Sequence, residues 1–309
     1  MIRLQTPVND EKCRSGISLS DKIMMLGSCF SDNIGRQLQD FGFNAMVNPF
    51  GTLYNPISIL NSIRRLVSGT EFTAEDCIDM GAGSELVCSF AHHTSFARKD
   101  EAAFIENANR ALGQARAYFL ECNKLIITLG TSWCFRHMER DLIVSNCLKR
   151  PGGEFRRERL SVNDTVEALK EIIGICMDGR GGKKKDIIFT VSPIRHFKDG
   201  AHGNQLSKST LLLGIDEAIS LLTEDSAKME ADGGKEVISI DYFPAYEIVM
   251  DELRDYRFYA EDMCHPSSQT VDYIRERFLD WALPKEEHPQ LEENIRNYRR
   301  SCHRTLNAE

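Results

Sequence analysis

The sequence lacks the features that mark membrane-spanning and nucleic-acid-binding proteins. No uncharged apolar run approaches the roughly 18 residues of a membrane span, and the first residues lack the apolar core of a signal peptide. Acidic residues outnumber basic ones, 46 to 38, which gives a net charge of −8. A nucleic-acid-binding face needs an excess of basic residues, so this charge argues against nucleic acid as the main partner.

Paired cysteines are also lacking. The ten cysteines are scattered along the chain, and none of them forms a Cys-x-x-Cys pair. Free thiols in a reducing compartment explain this distribution better than a disulfide framework does. The expectation is therefore a cytoplasmic protein, although a chain from which a leader had been removed would look the same. A hydrophobic fraction of 42% and a charged fraction of 27% are ordinary for a globular protein.

The first distinctive segment is a predicted strand that turns into a helix. Residues 23–26 form a short apolar run, Gly27 ends it, and helical spacing begins at Ser31. Ser28 and Cys29 therefore stand on the turn. Such a turn aims backbone N–H groups and the positive helix end at one point, where an oxyanion can be stabilised.

The rest of the chain alternates between strand and helix patterns. Strands are predicted at 43–47, 85–90, 124–129, 141–144, 186–191 and 237–241. Helices are predicted at 57–67, 100–122, 161–176, 205–222 and 268–281. This alternation predicts an α/β fold, a three-layer α/β/α sandwich with a mainly parallel sheet. We expect one domain over residues 1–283, with insertions near 70–100 and 133–160, and a charged helical extension over 284–309.

Polar segments follow several of the predicted strands. These segments are 27–28, 48–51, 130–132, 192–196 and 241–242. In parallel α/β sheets the ligand lies at the carboxyl ends of the strands, so the segments should converge on one crevice.

A second motif, Asp262-Met-Cys-His265-Pro, precedes the last predicted core helix. With the turn at Gly27 it resembles the first and last sequence blocks of the SGNH (GDSL-type) hydrolases, which are Gly-Asp-Ser and Asp-x-x-His. The segment Gly-Ser-Cys-Phe-Ser at 27–31 is similar to the motif that names the GSCFA family within that superfamily. Further segments similar to this family lie at 48–56, 128–131, 192–197 and 253–259. The resemblance implies an SGNH-like fold with flavodoxin-like topology.

The resemblance leaves two candidates for the nucleophile. Aligned without a gap, Gly-Asp-Ser places Cys29 at the position of the attacking serine; a register shifted by one residue places Ser28 there. A thiol at a helix N-terminus beside an imidazole is expected to have a lowered pKa. His265 would be the general base, and Asp262 would fix its tautomer.

The oxyanion donors implied by the resemblance are less complete. The backbone N–H groups of the nucleophile and of Gly51 are the expected donors. The superfamily's third donor is the asparagine of a Gly-x-Asn block, where this sequence has Gly130, Thr131 and Ser132. A hydroxyl of that block could donate instead, and Asn48 is a further candidate.

Arg195 and His196 follow the predicted strand at 186–191. They could recognise an anionic group of a substrate, since a guanidinium suits a carboxylate or phosphate, or they could form a solvated loop. No motif calls for a metal or an organic cofactor.

The sequence thus favours a hydrolase that cleaves ester bonds of a small molecule or a saccharide through an acyl-enzyme. Two alternatives stay open. One is an O-acyltransferase that passes the acyl group to a sugar or another alcohol. The other is a carbohydrate- or nucleotide-binding module that has lost catalytic competence.

Overall fold

The computed structural model of the chain describes residues 6–9, 11–231 and 238–306. In chain order the strands are β1 (Lys22–Gly27), β2 (Asn44–Val47), β3 (Ile78–Asp79), β4 (Val87–Cys88), β5 (Lys124–Leu129), β6 (Trp133–His137), β7 (Leu142–Val144), β8 (Phe155–Arg159), β9 (Asp186–Val191) and β10 (Ile240–Phe243). The helices are α1 (Cys29–Asp40), α2 (Pro56–Ser68), α3 (Glu101–Glu121), α4 (Val162–Met177), α5 (Gly200–Ala231), α6 (Ala245–Glu247), α7 (Ser268–Ala282) and α8 (His288–Leu306).

Five strands form the central sheet in the order β10-β9-β5-β1-β2. All neighbouring strands in it are parallel, which confirms an α/β fold with a mainly parallel sheet. When these five strands are renumbered 1 to 5 in chain order and read from the β2 edge, their order in the sheet is 2-1-3-4-5. The chain reverses its direction of winding between β1 and β5, and ligands of doubly wound sheets bind outside the strand ends at such a point.

Helices cover both faces of this sheet. Alternate side chains of β1 point to opposite faces, so Met24 and Leu26 join one core cluster while Ile23 and Met25 join the other. The first cluster includes buried side chains of α2, α3, α4 and α5. The second includes buried side chains of α1, α6, α7 and α8. Because both faces are buried, the central strands read as continuous apolar runs in the sequence.

The two predicted insertions contain the small sheets. Residues 133–160 form a three-stranded antiparallel sheet in the order β7-β6-β8, and β3 pairs with β4 within residues 70–100. The predicted strand 237–241 begins outside the described residues, and β10 is found at Ile240–Phe243. The predicted extension from residue 284 contains α8, whose Leu291 is buried in the second cluster. No helix of the described residues is long and apolar enough to cross a membrane.

The end of β1 is constrained by a close backbone contact. Gly27 has φ +148°, and a Cβ atom built on it would lie 2.3 Å from the carbonyl oxygen of Thr128 on β5. Leu53 N–H donates to the Gly27 carbonyl at 2.8 Å, so the loop after β2 is fixed to the same residue. Only glycine fits this backbone conformation and this spacing.

We therefore expect Gly27→Ala to lower the free energy of unfolding by at least about 2 kcal/mol, because it adds both backbone strain and a clash with Thr128. Gly113→Ala is the matched control, since Gly113 lies within α3 and a Cβ there meets nothing within 4 Å. That variant should stabilise the protein by about 0.5–1 kcal/mol through helix propensity. Urea denaturation of both variants measures the difference, and equal stabilities would contradict this account of Gly27.

Candidate active site

The turn after β1 presents one thiol and one hydroxyl. Ser28 is the N-cap of α1, and its Oγ accepts a hydrogen bond from the Phe30 N–H at 3.3 Å. Cys29 is therefore the first helical residue, and the helix begins two residues earlier than the predicted start of helical spacing at Ser31. Ser28 is buried, whereas Cys29 is half-buried.

Asn48 holds this turn against the loop after β2. Its side-chain oxygen accepts from the Gly27 N–H at 2.8 Å, and its Nδ2 donates to Asp32 at 2.6 Å. The residue is buried and has φ +43°, a left-handed conformation that asparagine tolerates better than most residues. The amide that the sequence offered as an oxyanion donor is thus engaged in positioning the turn.

Asp262 and His265 form a tightly bonded pair before α7. One carboxylate oxygen of Asp262 lies 2.6 Å from His265 Nδ1, and the other accepts from the N–H groups of Cys264 and His265 at 2.9 Å each. The hydrogen bonds from the His265 backbone and ring and from Cys264 lower the pKa of Asp262 to about 2. An ionised carboxylate accepts the Nδ1–H, which leaves Nε2 of the neutral ring as the proton acceptor.

One cavity is lined by residues of both the turn after β1 and the loop before α7. It has a volume of about 720 Å³, and its lining includes Ser28, Cys29 and His265. A cavity of about 790 Å³ beside β10 holds neither the thiol nor this imidazole, so size does not identify the site. Within the described ranges, no hydrogen bond joins the His265 ring to Cys29 or Ser28. Catalytic hydrogen bonds are often loose in unliganded proteins, so both nucleophile candidates remain.

The Cys29 thiol is not activated in the resting protein. Burial and the nearby charge of Asp32 raise its pKa above the usual value. The backbone N–H groups of Cys29 and Phe30 act in the opposite direction but do not outweigh burial. The lowered pKa expected from the helix N-terminus is therefore wrong in direction. A thiol of this kind needs a general base before it can attack.

The backbone N–H groups of Gly51, Gly130 and Thr131 already have hydrogen-bond partners. The Gly51 N–H donates to the Asn48 carbonyl at 2.8 Å, and a Cβ on Gly51 would lie 2.2 Å from His93 Cβ. The N–H groups of Gly130 and Thr131 both donate to the Tyr54 carbonyl, at 2.8 and 3.0 Å. Gly51 thus permits a close approach of two loops, and its N–H is not free in this conformation.

The hydroxyls of the 130–132 block contact helix α5. Ser207 Oγ lies 2.9 Å from Thr131 Oγ1 and 3.2 Å from Ser132 Oγ. Thr131 lines the cavity. Ser132 is fully buried, and its backbone N–H also donates to Ser207 at 2.8 Å. Of these two hydroxyls, only that of Thr131 belongs to a residue of the cavity wall.

Arg195 and His196 both line the cavity, but their surroundings differ from those of a simple anion site. The Arg195 guanidinium lies 4.6 Å from the Phe197 ring centre and 5.4 Å from that of Tyr259. Its backbone N–H donates to the Cys264 carbonyl at 3.0 Å, which ties it to the His265 loop. Burial, followed by the charge of Lys208, lowers the pKa of His196 to about 4, so this ring is neutral at physiological pH.

The structure adds site residues that the sequence reasoning missed. Tyr54, Trp133 and Arg157 line the cavity, with the Arg157 guanidinium 4.2 Å from the Trp133 ring centre and paired with Asp199. Lys208 lies fully buried behind the 130–132 block. The helical spacing of the buried residues Leu211, Ile215 and Ala218 also includes position 208, so the sequence pattern could have indicated that Lys208 is buried. In the described part of the chain, no group of three His, Cys, Asp or Glu side chains could hold a metal ion.

The raised pKa of Cys29 makes a direct prediction about its reactivity. Below its pKa, the thiolate fraction falls about tenfold per pH unit, so Cys29 should be alkylated more slowly at neutral pH than a free cysteine. Mass spectrometry of the Cys29 peptide after timed exposure to N-ethylmaleimide measures this rate. Cys29 labelling faster than glutathione at neutral pH would show that the thiol is activated at rest.

The chain matches a known protein family. The sequence profile of the GSCFA family matches residues 22–278, a span that includes the turn at Ser28 and Cys29 and the pair of Asp262 and His265. A search of curated proteins finds no match. Since the family profile covers most of the chain, the protein belongs to the GSCFA family.

Proposed function

We propose that this protein is an SGNH-type hydrolase that cleaves ester bonds through an acyl-enzyme on Cys29. The observation that carries the proposal is the shared cavity of Cys29 and His265, with an ionised Asp262 on the far nitrogen of the imidazole. Cys29 and His265 lie far apart in the chain but both line this cavity, which supports the roles of nucleophile and base, with Asp262 as the orienting carboxylate.

The fold supports the same proposal. The strand order 2-1-3-4-5 and the two core clusters fit an SGNH-like three-layer arrangement. Cys29 follows β1, and the 130–132 block follows β5, so both lie where the sheet reverses its winding. This is the place where an α/β sheet binds its ligand.

The proposed reaction has two steps. His265 Nε2 accepts the proton of the Cys29 thiol while the sulfur attacks the ester carbonyl carbon. The carbon–oxygen bond to the alcohol breaks, and the alcohol leaves with the proton from the imidazolium. Water, deprotonated by the same imidazole, then hydrolyses the thioester and returns the thiol. The Cys29 N–H at the start of α1 is a candidate donor to the oxyanion.

Cys29 is favoured over Ser28 by exposure and by hydrogen bonding. The Ser28 hydroxyl is buried and caps α1, whereas the Cys29 thiol belongs to a half-buried residue of the cavity wall. The acyl group of the substrate would lie against the apolar part of that wall, which includes Trp133, Phe135 and Ile194.

A second candidate function has an observation in its favour. The Gly51 N–H and the Asn48 amide are both engaged elsewhere, so the oxyanion site is sparse. A non-catalytic binding module on the same fold would need no oxyanion donors. The acyltransferase alternative shares the acyl-enzyme and differs only in the acceptor that resolves it.

Turnover of short p-nitrophenyl esters tests the proposal. Cys29→Ala and His265→Ala should each lower kcat/KM by about 10³-fold or more, since each removes a member of the catalytic group. Ser28→Ala should lose about 1 kcal/mol of stability through the lost helix cap but retain most of the turnover. Cys77→Ala is the matched thiol control, because Cys77 is also half-buried with a pKa raised by burial, yet lies outside the cavity.

The outcomes separate the alternatives. Turnover that persists in the double variant Cys29→Ala, Ser28→Ala would exclude covalent catalysis at this turn. Loss of turnover in Ser28→Ala with full activity in Cys29→Ala would move the nucleophile to Ser28. Release of p-nitrophenol that rises with added sugar or alcohol, with formation of the acylated acceptor, would favour the transferase.

A further inference from the structure

The side chain of Lys208 is fully buried in α5 beside the candidate site. Its ammonium donates to the carbonyl oxygens of Gly130 at 2.6 Å and of Ser192 at 2.7 Å. Gly130 directly follows β5, and Ser192 directly follows β9. One side chain therefore joins the carboxyl ends of two adjacent strands of the central sheet.

The preceding residue of α5 strengthens this connection. Ser207 bonds the Thr131 hydroxyl and the Ser132 N–H, so adjacent residues of one helix hold the whole 130–132 block. The block also contacts the turn that carries the nucleophile. A Cβ added to Gly130 would lie 3.4 Å from Ser28 Cβ, so the two residues are close neighbours. Movement of the 130–132 block would therefore displace Ser28 and Cys29.

A buried ammonium without a carboxylate partner is costly. Within the residues that the structure describes, Lys208 forms no salt bridge and has only the two carbonyls as hydrogen-bond acceptors. Burial lowers its pKa to about 7, while the charges of Asp199 and Cys29 act to raise it. A methionine would fill the space without this cost, but it would leave the two strand-end carbonyls unpaired.

Lys185 provides an internal comparison. It is also fully buried, and its ammonium donates to two carbonyls, those of Gly181 and Lys183, at 2.7 and 2.6 Å. These acceptors lie in its own turn, before the start of β9. Lys185 thus stabilises local structure at one end of β9, whereas Lys208 acts across two strands at the other end, where the cavity lies.

We propose that Lys208 is a positioning residue for Cys29, which fixes the strand ends behind the thiol-bearing turn and places a buried positive charge there. The inference rests on the proposed role of Cys29 as nucleophile. The positive charge of Lys208 favours the thiolate of Cys29 over the thiol, and during attack it stabilises the negative charge that develops on the substrate carbonyl oxygen.

Several groups face Lys208 and set its pH dependence. The negative charges of Asp199 and Cys29 favour the charged form of Lys208. The positive charge of Lys208 in turn contributes to the lowered pKa of His196. The Tyr246 ring centre lies 5.8 Å from Nζ. Because the ammonium is charged below about pH 7 and neutral above it, its effect on Cys29 should be largest on the acidic side and should vanish in alkaline solution.

Labelling of Cys29 tests this inference without any substrate. The rate of N-ethylmaleimide addition at the Cys29 peptide is measured by mass spectrometry from about pH 6 to about pH 9. The variants are Lys208→Met, Lys208→Gln, which keeps a hydrogen-bond donor but no charge, and Lys185→Met as the matched control. At the acidic end, both Lys208 variants should label roughly three- to tenfold more slowly than the unmodified protein. At the alkaline end the rates should converge, and Lys185→Met should follow the unmodified protein throughout.

Rates that differ by one constant factor at every pH, or not at all, would overturn the inference. If neither Lys208 variant folds, the pH profile of the unmodified protein still tests the inference. Below about pH 7, its labelling rate must exceed the rate expected for a thiol that titrates alone. The labelling result does not depend on ester turnover. If the protein shows no ester turnover, the labelling test of Lys208 remains valid. If the labelling test fails, the kinetics of the Cys29 and His265 variants still test the proposed hydrolase.

Discussion

The candidate site depends on the close contact between the ends of β1 and β5. Gly27 places its backbone against the Thr128 carbonyl, and Asn48 then bonds the Gly27 N–H from the other side. These contacts fix the direction in which the chain enters α1, with Ser28 as the N-cap and Cys29 as the first helical residue. The position of the thiol is thus set by backbone packing rather than by contacts of the sulfur itself.

The electrostatics of the site follow from burial. Burial raises the pKa of Cys29 and lowers the pKa values of His196 and Lys208, so it favours the neutral form of each group. Asp262 is the exception, because hydrogen bonds from the His265 loop stabilise its charge. In the proposed mechanism, proton transfer to His265 therefore supplies the activation that the resting thiol lacks.

Parts of this arrangement could be predicted from the sequence because they depend on local patterns. The central strands at 124–129 and 186–191 are continuous apolar runs, and both strands were predicted with the bounds that the structure shows. The pairing of Asp262 with His265 needs only a three-residue spacing in a tight turn. Strand β8 escaped prediction because its sequence, Phe-Arg-Arg-Glu-Arg, lies mostly exposed and shows no apolar alternation. The hydrogen bonds of Gly51 and the burial of Lys208 depend on distant loops that no local pattern reports.

The most direct test of the account is to trap the covalent intermediate. The unmodified protein is mixed with an excess of a p-nitrophenyl ester, quenched in acid within the first turnover, digested and mapped by mass spectrometry. The account predicts an acyl group in thioester linkage on Cys29, removed by hydroxylamine and absent from the His265→Ala variant. Acylation at another residue, or release of p-nitrophenol with no acylated peptide, would contradict it.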